Sequence, residues 1–308
     1  LINLYISGHI GFVMKRASLL MVSLLLLPFW LDAQSFYAIR RERSLILVAG
    51  TGTSSYLGEL SKPGDYLDAK PNLNLGLQMY LSRRISIRSE LTWFTLKGAD
   101  GEDGPEGRNY SRNLSFKSSN VEFNAVGLID LYPRGNRFYR RPSFNIYAFG
   151  GLGFAYFNPK AELNGEIYAL QPLQTEGVSY SRITPVIPFG GGVRFRMGPN
   201  VNISVEGGLR MTFSDYLDDV STVYKGVSNF ADPIAAALSD RRPEIGKPNM
   251  APGSKRGNSE TNDAYWLLNF KLEYYLPVDL GIQNRQRSYK KSRKSSMYRY
   301  NRGGGLRR

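Results

Sequence analysis

The sequence contains no cysteine and a single histidine, His9, among its 308 residues. A chain without cysteine forms no disulfide, holds no metal through thiolates and has no cysteine nucleophile. His9 precedes the cleavage site predicted below, so the mature chain is expected to lack histidine and with it the commonest general base. Both absences argue against an enzyme, and we predict a protein with no catalytic residue and no cofactor.

The chain also lacks long hydrophobic runs after residue 33, where a membrane-spanning helix needs about 20 apolar residues. The shorter apolar run Ala17–Trp30 follows Met14, Lys15 and Arg16 and ends just before Ala33. This pattern predicts a secretory signal peptide over 14–33, with 1–13 as upstream sequence. An uncleaved N-terminal anchor is the alternative.

What recurs instead is an alternation of apolar and polar residues with a period of two. In 71–81, for example, Leu73 and Leu75 alternate with Asn72 and Asn74. Similar segments follow at 85–95, 120–131, 186–197, 201–213 and 265–276, and the glycine-rich segments 44–57 and 144–157 are assigned by their spacing. These segments predict an all-β fold with eight antiparallel strands over 44–277, preceded by a lead at 34–43.

The connections between these segments alternate in length. Three are short, at 82–84, around 134–136 and at 198–200, whereas 58–69, 98–115, 158–184 and 214–263 are long. This asymmetry predicts a transmembrane β-barrel with short periplasmic turns and long extracellular loops. A soluble sandwich or lipocalin-type barrel is the alternative, because the sequence does not show which face points inward.

Aromatic residues near the strand ends favour the membrane, where they form an interfacial girdle. The residues expected in this girdle are Trp93, Phe94, Tyr132, Tyr156, Phe157, Phe213, Trp266, Tyr274 and Tyr275.

If the apolar faces contact lipid, the charged faces are buried in the barrel. The residues predicted to form ion pairs there are Arg88, Glu90, Glu122, Arg194, Glu206, Arg210, Lys271 and Glu273. An eight-stranded barrel is only wide enough for side chains to fill its interior, so we expect a polar plug and no diffusion pore. The alternative, that Glu122, Glu206 and Glu273 are catalytic, is disfavoured because no substrate cleft is expected and each has a matching cation.

A cluster of carboxylates, Asp215, Asp218 and Asp219, follows the seventh predicted strand. Carboxylates are ligands for calcium, but the cluster lacks the spacing and the terminal glutamate of a specific calcium loop. It is equally typical of a turn or a helix start, where aspartate caps backbone amides.

The formal net charge of +14 is concentrated in the C-terminal segment, which holds no acidic residue after position 284. We predict a disordered basic tail over 278–308, which the even number of strands returns to the periplasm. The basic residues predicted to bind a partner there are Arg83, Arg84, Arg134, Arg137, Arg140, Arg141, Lys290, Lys291, Arg293 and Lys294. An acidic protein or anionic headgroups suit this surface; a nucleic-acid partner is not expected for an exported chain.

The segment Thr212–Tyr224, with Tyr216-Leu217-Asp218-Asp219-Val220 at its centre, resembles the PorG-type outer-membrane barrels of Bacteroidetes, of the OmpA/OmpX-like eight-stranded kind. The junction at Ala33 and the segment 149–154 are similar too. Ser214 replaces the usual threonine, and Lys225 stands where an acidic residue is expected.

The resemblance implies a component of the type IX secretion system that contacts a periplasmic ring made of a lipoprotein and its partner protein. We therefore expect a structural, anchoring barrel in the outer membrane of a Gram-negative bacterium, with lipid and the ring as partners. A surface ligand-binding or porin-like barrel with functional outer loops is the alternative; neither nucleic acid nor a small-molecule substrate is expected.

Overall fold

A computed structural model describes residues 43–61, 70–100, 109–135 and 137–280. The predicted signal peptide, the lead up to residue 42 and the tail from residue 281 lie outside the described residues. The basic residues Lys290, Lys291, Arg293 and Lys294 lie outside them as well.

Eight long strands form the wall of a barrel, and two short strands lie in one of its loops. The strands are β1 (Leu45–Leu57), β2 (Lys70–Tyr80), β3 (Ile85–Ala99), β4 (Ser115–Asp130), β5 (Phe144–Tyr156), β6 (Pro159–Leu163), β7 (Glu166–Ala169), β8 (Ile183–Arg196), β9 (Val201–Thr212) and β10 (Ala264–Tyr275).

Each strand of the wall pairs with its neighbours in antiparallel register. The order is β3, β2, β1, β10, β9, β8, β5 and β4, and a further pairing of β3 with β4 closes the sheet. The first and last strands meet along twelve residue pairs, from Ile46 with Tyr275 to Leu57 with Ala264. The predicted eight-stranded antiparallel barrel is confirmed.

Polarity is inverted with respect to a water-soluble barrel. On β2, the side chains of Leu73 and Leu75 are more than half exposed, while Asn72 and Gln78 are fully buried. The same alternation continues on β3, β4, β9 and β10. A soluble barrel buries its apolar face, so this arrangement excludes the soluble alternative and matches a barrel that faces lipid.

The girdle prediction is wrong for three aromatic residues. Phe94, Phe157 and Tyr275 are buried, whereas their sequence neighbours Trp93 and Tyr156 are 41% exposed. Consecutive residues of a strand point to opposite faces, so an aromatic pair at a strand end contributes one ring to the surface and the other to the interior.

Two long loops contain structure that was predicted only as loop. β3 ends at Ala99, beyond its predicted end, and β4 begins at Ser115, before its predicted start, because these extensions pair with each other through Ala99 with Ser115. β4 also pairs with β6 there, through Lys117 with Lys160. β6 and β7 form a hairpin. The helices are α1 (Leu170–Leu173) and α2 (Pro233–Ser239). No helix in the described ranges is long and apolar enough to cross a membrane.

Candidate functional site

The centre of the barrel holds four charged side chains in mutual contact. The Arg88 guanidinium donates to both carboxylate oxygens of Glu206, at 2.7 and 2.8 Å, and its Nε lies 3.1 Å from Glu90. Lys271 Nζ lies 2.7 Å from both Glu90 and Glu206. Each cation therefore contacts both anions, which offsets the cost of burying charge.

A second group lies nearer the short turns. Arg194 Nε is 2.8 Å from the Glu273 carboxylate, and Nη1 is 2.9 Å from Asp130 and 3.1 Å from the Tyr80 hydroxyl. Asp130 was not among the predicted ion-pair residues, although the alternation of β4 already placed it on the polar face.

A third group lies nearer the long loops. Arg210 is 3.8 Å from Glu122, and the Glu122 carboxylate also accepts hydrogen bonds of 2.5 Å from Tyr265 and Asn124. The structure thus places all eight predicted ion-pair residues in the barrel interior, each at most 5% exposed.

Glycines on β8 and β9 make room for rings inside this barrel. A Cβ atom on Gly192 would lie 2.7 Å from the Tyr147 ring, and one on Gly208 would lie 2.6 Å from the Phe149 ring. The Tyr147 ring in turn lies 4.4 Å from the Arg194 guanidinium, a favourable contact between a cation and an aromatic face. Rings and ion pairs together fill the interior at this height, in keeping with a plug rather than a pore.

The turn between β4 and β5 folds back into the mouth of the barrel. Phe138, 1% exposed, packs with Ile46, Val48, Tyr80 and Tyr275. The turn is held by a hydrogen bond of 2.6 Å from Gly135 N to the Arg140 carbonyl. The short-turn end is therefore closed by an apolar stopper centred on Phe138.

Arg134 and Arg141, two arginines beside this stopper, are buried. The prediction that they belong to the basic partner-binding surface is therefore corrected. Arg134 stacks 3.7 Å over the Tyr80 ring, and Arg141 stacks 4.4 Å over Tyr275. Arg141 also donates to Asn202 Oδ1 at 2.7 Å and to backbone carbonyls, including that of Pro199. Both guanidinium groups stabilise the stopper instead of facing a partner.

The other predicted arginines of the turns lie at the surface. Arg83, Arg84 and Arg140 are exposed, and Arg137 is half-buried. Arg196 at the end of β8 is exposed as well, with Nη1 donating to the Arg141 carbonyl at 2.9 Å. The short-turn end is thus basic. Arg134 and Arg141 are missing from the predicted surface, and Arg196, which was not predicted, is part of it.

At the opposite end, the long loops form a cap with its own apolar core. Residues from the loops, including Leu60, Leu114, Leu170, Leu217 and Leu238, are buried together with rings from the strand ends. We call the described part of these loops, 58–61, 109–114, 157–182 and 213–263, the outer cap. It covers the long-loop end with packed side chains.

The acidic motif is buried inside the outer cap, and its carboxylates accept hydrogen bonds from the cap itself. Asp218 Oδ1 accepts from the Val220 amide at 2.9 Å, which is the capping role considered for the sequence. Asp219 accepts from the hydroxyl groups of Thr175 and, at 2.6 Å, Tyr180. The motif therefore joins loop 213–263 to loop 157–182.

Two residues that sequence reasoning missed complete this junction. Glu176 accepts from the amides of Ser221 and Thr222 at 3.0 and 2.9 Å, and Arg256 Nη1 donates to Glu176 at 2.9 Å and to the Asp219 carbonyl at 2.6 Å. Arg256 lies 80 residues from Glu176, and no local pattern in the sequence connects them.

In the described part of the chain, no group of three or more acidic, histidine or cysteine side chains is placed so that it could hold a metal ion. The Asp215 carboxylate, 8% exposed, has no hydrogen-bond partner among the residues that the structure describes. Asp218 and Asp219 direct their oxygens at separate donors, so the three carboxylates do not converge on one point.

Burial sets the protonation of these carboxyl groups. It raises the pKa of Asp215 to about 7 and that of Asp219 to about 6, although Arg256 opposes the shift of Asp219. Asp263 accepts hydrogen bonds from the Tyr56 hydroxyl and the Leu217 amide, yet burial still raises the pKa of Asp263 to about 8.

These raised pKa values predict that the outer cap is more stable in mild acid than in mild alkali. The folded cap binds protons that an unfolded aspartate, with a pKa of about 3.9, releases, so stability falls as the pH rises from about 4 to 8. Amide hydrogen exchange of 213–263, corrected for intrinsic rates, should be at least about tenfold faster at pH 8 than at pH 5.

The Asp263→Asn variant supplies the control, because an amide stays neutral at both pH values. It should exchange like the wild type at pH 5 and more slowly than the wild type at pH 8. Protection that increases with pH in the wild type would contradict the assignment.

A cavity of about 1000 Å³ opens in the outer cap, beside Glu59 and Arg112. Arg112 is held by Asp100, at 2.7 Å, and by Glu59, at 3.3 Å. Much of the remaining lining carries hydroxyl and amide groups, from Asn109, Ser111, Tyr224, Asn258, Thr261 and Asn262.

No protein-family model matches the chain, and no curated protein matches it. The solved structures that are similar to the chain include three that cover 75–76% of it. Neisserial surface protein A (NspA) has 10% identity, with 75% of this chain and 97% of that chain covered and a TM-score of 0.37. A major outer membrane protein from Thermus thermophilus has 12% identity, coverages of 75% and 98%, and a TM-score of 0.37.

The third is Ail, the attachment invasion locus protein of Yersinia pestis, solved with the heparin analogue sucrose octasulfate, with 11% identity, coverages of 76% and 99%, and a TM-score of 0.36. Closed antiparallel pairing, an apolar outer face and a charged interior define an eight-stranded β-barrel of the outer-membrane type.

Proposed function

We propose that the protein is a non-catalytic barrel of a Gram-negative outer membrane that anchors a periplasmic assembly at its short-turn end. The observation that carries the proposal is that the barrel's own side chains fill the passage. Ion pairs occupy the centre, Phe138 and its neighbours close one end, and the outer cap covers the other. Transport through the barrel is therefore disfavoured, and its end surfaces remain for function.

The short-turn end has the features of a docking surface for an acidic partner. Arg83, Arg84, Arg140 and Arg196 are exposed there. The chain also leaves the barrel at this end, since Arg43 donates to the Tyr275 carbonyl at 2.7 Å and Val278 pairs with Ser44. A charged surface of this kind speeds encounter with an acidic protein and loses its effect in high salt.

The proposed partner is the periplasmic ring of the type IX secretion system, made of a lipoprotein and its associated protein. Support for this finer assignment comes from the Thr212–Tyr224 motif and its likeness to PorG-type barrels. The motif lies in the outer cap, away from the docking surface, so it supports membership in the family and does not itself contact the ring.

Removing three of the exposed arginines should release the partner. In gently solubilised native membranes, the variant Arg83→Ser/Arg84→Ser/Arg140→Ser should bind the ring proteins on the order of a hundredfold more weakly than the wild type, at about 1 kcal/mol per charge near the surface. Affinity purification at low and high salt measures the effect.

The matched control removes three cations from the outer cap, as Lys225→Ser/Lys247→Ser/Lys255→Ser, and should leave recovery unchanged. Equal recovery with both variants would place the contact elsewhere. Normal protein secretion in a deletion strain, with no envelope protein enriched by the wild type, would refute the anchoring role.

A surface ligand-binding function is the second candidate, and the cavity in the outer cap favours it. Its lining of hydroxyl and amide groups suits a polar ligand, and pockets of this volume are within the usual range for small molecules. Protease shaving of intact cells separates the two functions, because loss of the cap removes ligand binding and leaves the ring contact intact.

A further inference from the structure

Three lysines form a row on the outer face of the sheet, beyond the apolar band. Lys97 pairs directly with Lys117 across β3 and β4, and Lys117 pairs directly with Lys160 across β4 and β6. All three side chains are exposed. Directly opposed residues of antiparallel strands have Cβ atoms about 4.5–5.5 Å apart, so the three ammonium groups occupy one small patch.

This row has a cost, because like charges directly opposite each other destabilise a sheet. Within the described ranges, neither Lys117 nor Lys160 has an ion-pair partner. Glu162 is the exposed acidic residue next to the row on β6, two positions beyond Lys160. Lys97 makes an interaction within the chain, so Lys117 and Lys160 are the two lysines of the row whose charges are not offset in the described ranges.

The row lies just outside the apolar band. Trp93 and Val121 are the outermost exposed apolar residues of β3 and β4, and Trp93 Nε1 donates to Ser119 Oγ at 2.8 Å. Lys97 and Lys117 follow four residues further along their strands, roughly 13 Å at 3.3 Å per residue. With strands tilted by about 40°, this is about 10 Å along the barrel axis.

A lysine at this height reaches back with a long side chain to the headgroup layer, which is about 5–8 Å thick on each side of the hydrocarbon core. Tryptophan and tyrosine mark the same boundary in membrane proteins, and Trp93 and Tyr156 are exposed there, on β3 and β5. The patch therefore faces the anionic part of a lipid leaflet.

We propose that Lys97, Lys117 and Lys160 bind the phosphate group of a lipid headgroup in the leaflet at the long-loop end. A phosphate between Lys117 and Lys160 accepts charge-assisted hydrogen bonds from both and removes their repulsion. The inference rests on the barrel spanning a membrane, as proposed above, and adds a lipid site at the end opposite the docking surface.

The test uses the full chain in nanodiscs of phosphatidylcholine with a minor fraction of phosphatidic acid as the probe. The variant Lys97→Gln/Lys117→Gln/Lys160→Gln should bind phosphatidic acid on the order of a hundredfold more weakly than the wild type, at about fivefold per lysine. Quenching of tryptophan fluorescence by brominated phosphatidic acid reports binding, since Trp93 lies beside the patch. The control Lys225→Gln/Lys247→Gln/Lys255→Gln changes the same charge in the outer cap and should bind like the wild type.

The single variant Lys117→Glu provides a second test, in which the measured quantity is Tm and a rise is expected. Lys117→Glu replaces the repulsive row with an attractive one, so in phosphatidylcholine alone it should raise the Tm. It should also abolish the rise in Tm that phosphatidic acid gives the wild type. A purely structural role for Lys117 would shift Tm equally in both lipids and would refute the proposal.

Two further outcomes overturn the inference. If the triple variant binds phosphatidic acid as tightly as the wild type does, the three lysines do not form the proposed lipid site. Inorganic phosphate that binds at equal concentration, with the same dependence on the three lysines, overturns the assignment to a lipid. Resistance to urea extraction shows insertion: failure of the wild type to insert overturns the proposed function as well, whereas insertion with lysine-independent lipid binding overturns this inference alone.

Discussion

Replacing Glu206 with glutamine is expected to lower the free energy of unfolding of the barrel by about 3–5 kcal/mol. Glu206 is 1% exposed and accepts hydrogen bonds from Arg88, Lys271 and, at 3.0 Å, the Tyr147 hydroxyl. Its removal leaves two buried cations to share the single carboxylate of Glu90. Urea unfolding of the protein in lipid vesicles, followed by fluorescence, measures the loss.

A second substitution separates charge balance from lost hydrogen bonds. In Glu206→Gln/Lys271→Gln, one cation and one anion are removed together, and Arg88 keeps its contact with Glu90. The double variant should be more stable than Glu206→Gln alone. Glu162→Gln, on the exposed face of β6, should change stability by less than about 0.5 kcal/mol. A Glu206→Gln variant as stable as Glu162→Gln would show that the central network does not stabilise the barrel.

Replacing Arg256 with methionine is expected to loosen the outer cap without unfolding the barrel. The substitution leaves Glu176 buried without its cation and removes the donor to the Asp219 carbonyl. Breaking a buried pair costs about 3 kcal/mol or more, which corresponds to an increase in amide exchange on the order of a hundredfold in 170–182 and 213–263. Exchange in the strands of the wall should be unchanged.

Arg241→Met is the matched control, because Arg241 pairs with the more exposed Glu244 three residues away. Such a surface pair contributes about 1 kcal/mol at most, so exchange should rise by about fivefold or less. The double variant Arg256→Met/Glu176→Gln should recover part of the lost protection, because the uncompensated charge is gone. Equal amide exchange in Arg256→Met and Arg241→Met would show that the contacts of Arg256 do not stabilise the outer cap more than the surface pair of Arg241 does.

Most of the barrel wall was predictable because the period of two appears wherever one face contacts lipid and the other is buried. Alternation along β2 placed Leu73 outside and Asn72 inside, and alternation along β9 placed Glu206 and Arg210 in the interior. The pattern weakens where the lipid ends. β4 starts at Ser115, in a stretch with a single apolar residue, Phe116, and the sequence showed no strand there.

The ends of the barrel were less predictable, because contacts between distant residues determine them. Arg134 and Arg141 lie in a polar turn that is typical of an exposed surface, yet they stack on Tyr80 and Tyr275 from two other strands. The acidic motif stood out in the sequence, but its partners Glu176 and Arg256 come from remote segments. Asp218 caps a backbone amide two residues away, as local spacing suggests, but the contacts of Asp219 with Thr175 and Tyr180 are not contained in any local pattern.

The contacts of the stopper at the short-turn end also have a consequence for the order in which the barrel assembles. Phe138 packs against Ile46 of the first strand and Tyr275 of the last, and the Arg43 guanidinium lies 5.7 Å from its ring while donating to the Tyr275 carbonyl. These groups come together only when β1 and β10 have met. A chain in which β1 and β10 have not yet paired lacks this pocket for Phe138, so we expect the turn to dock only after the two strands have closed the barrel.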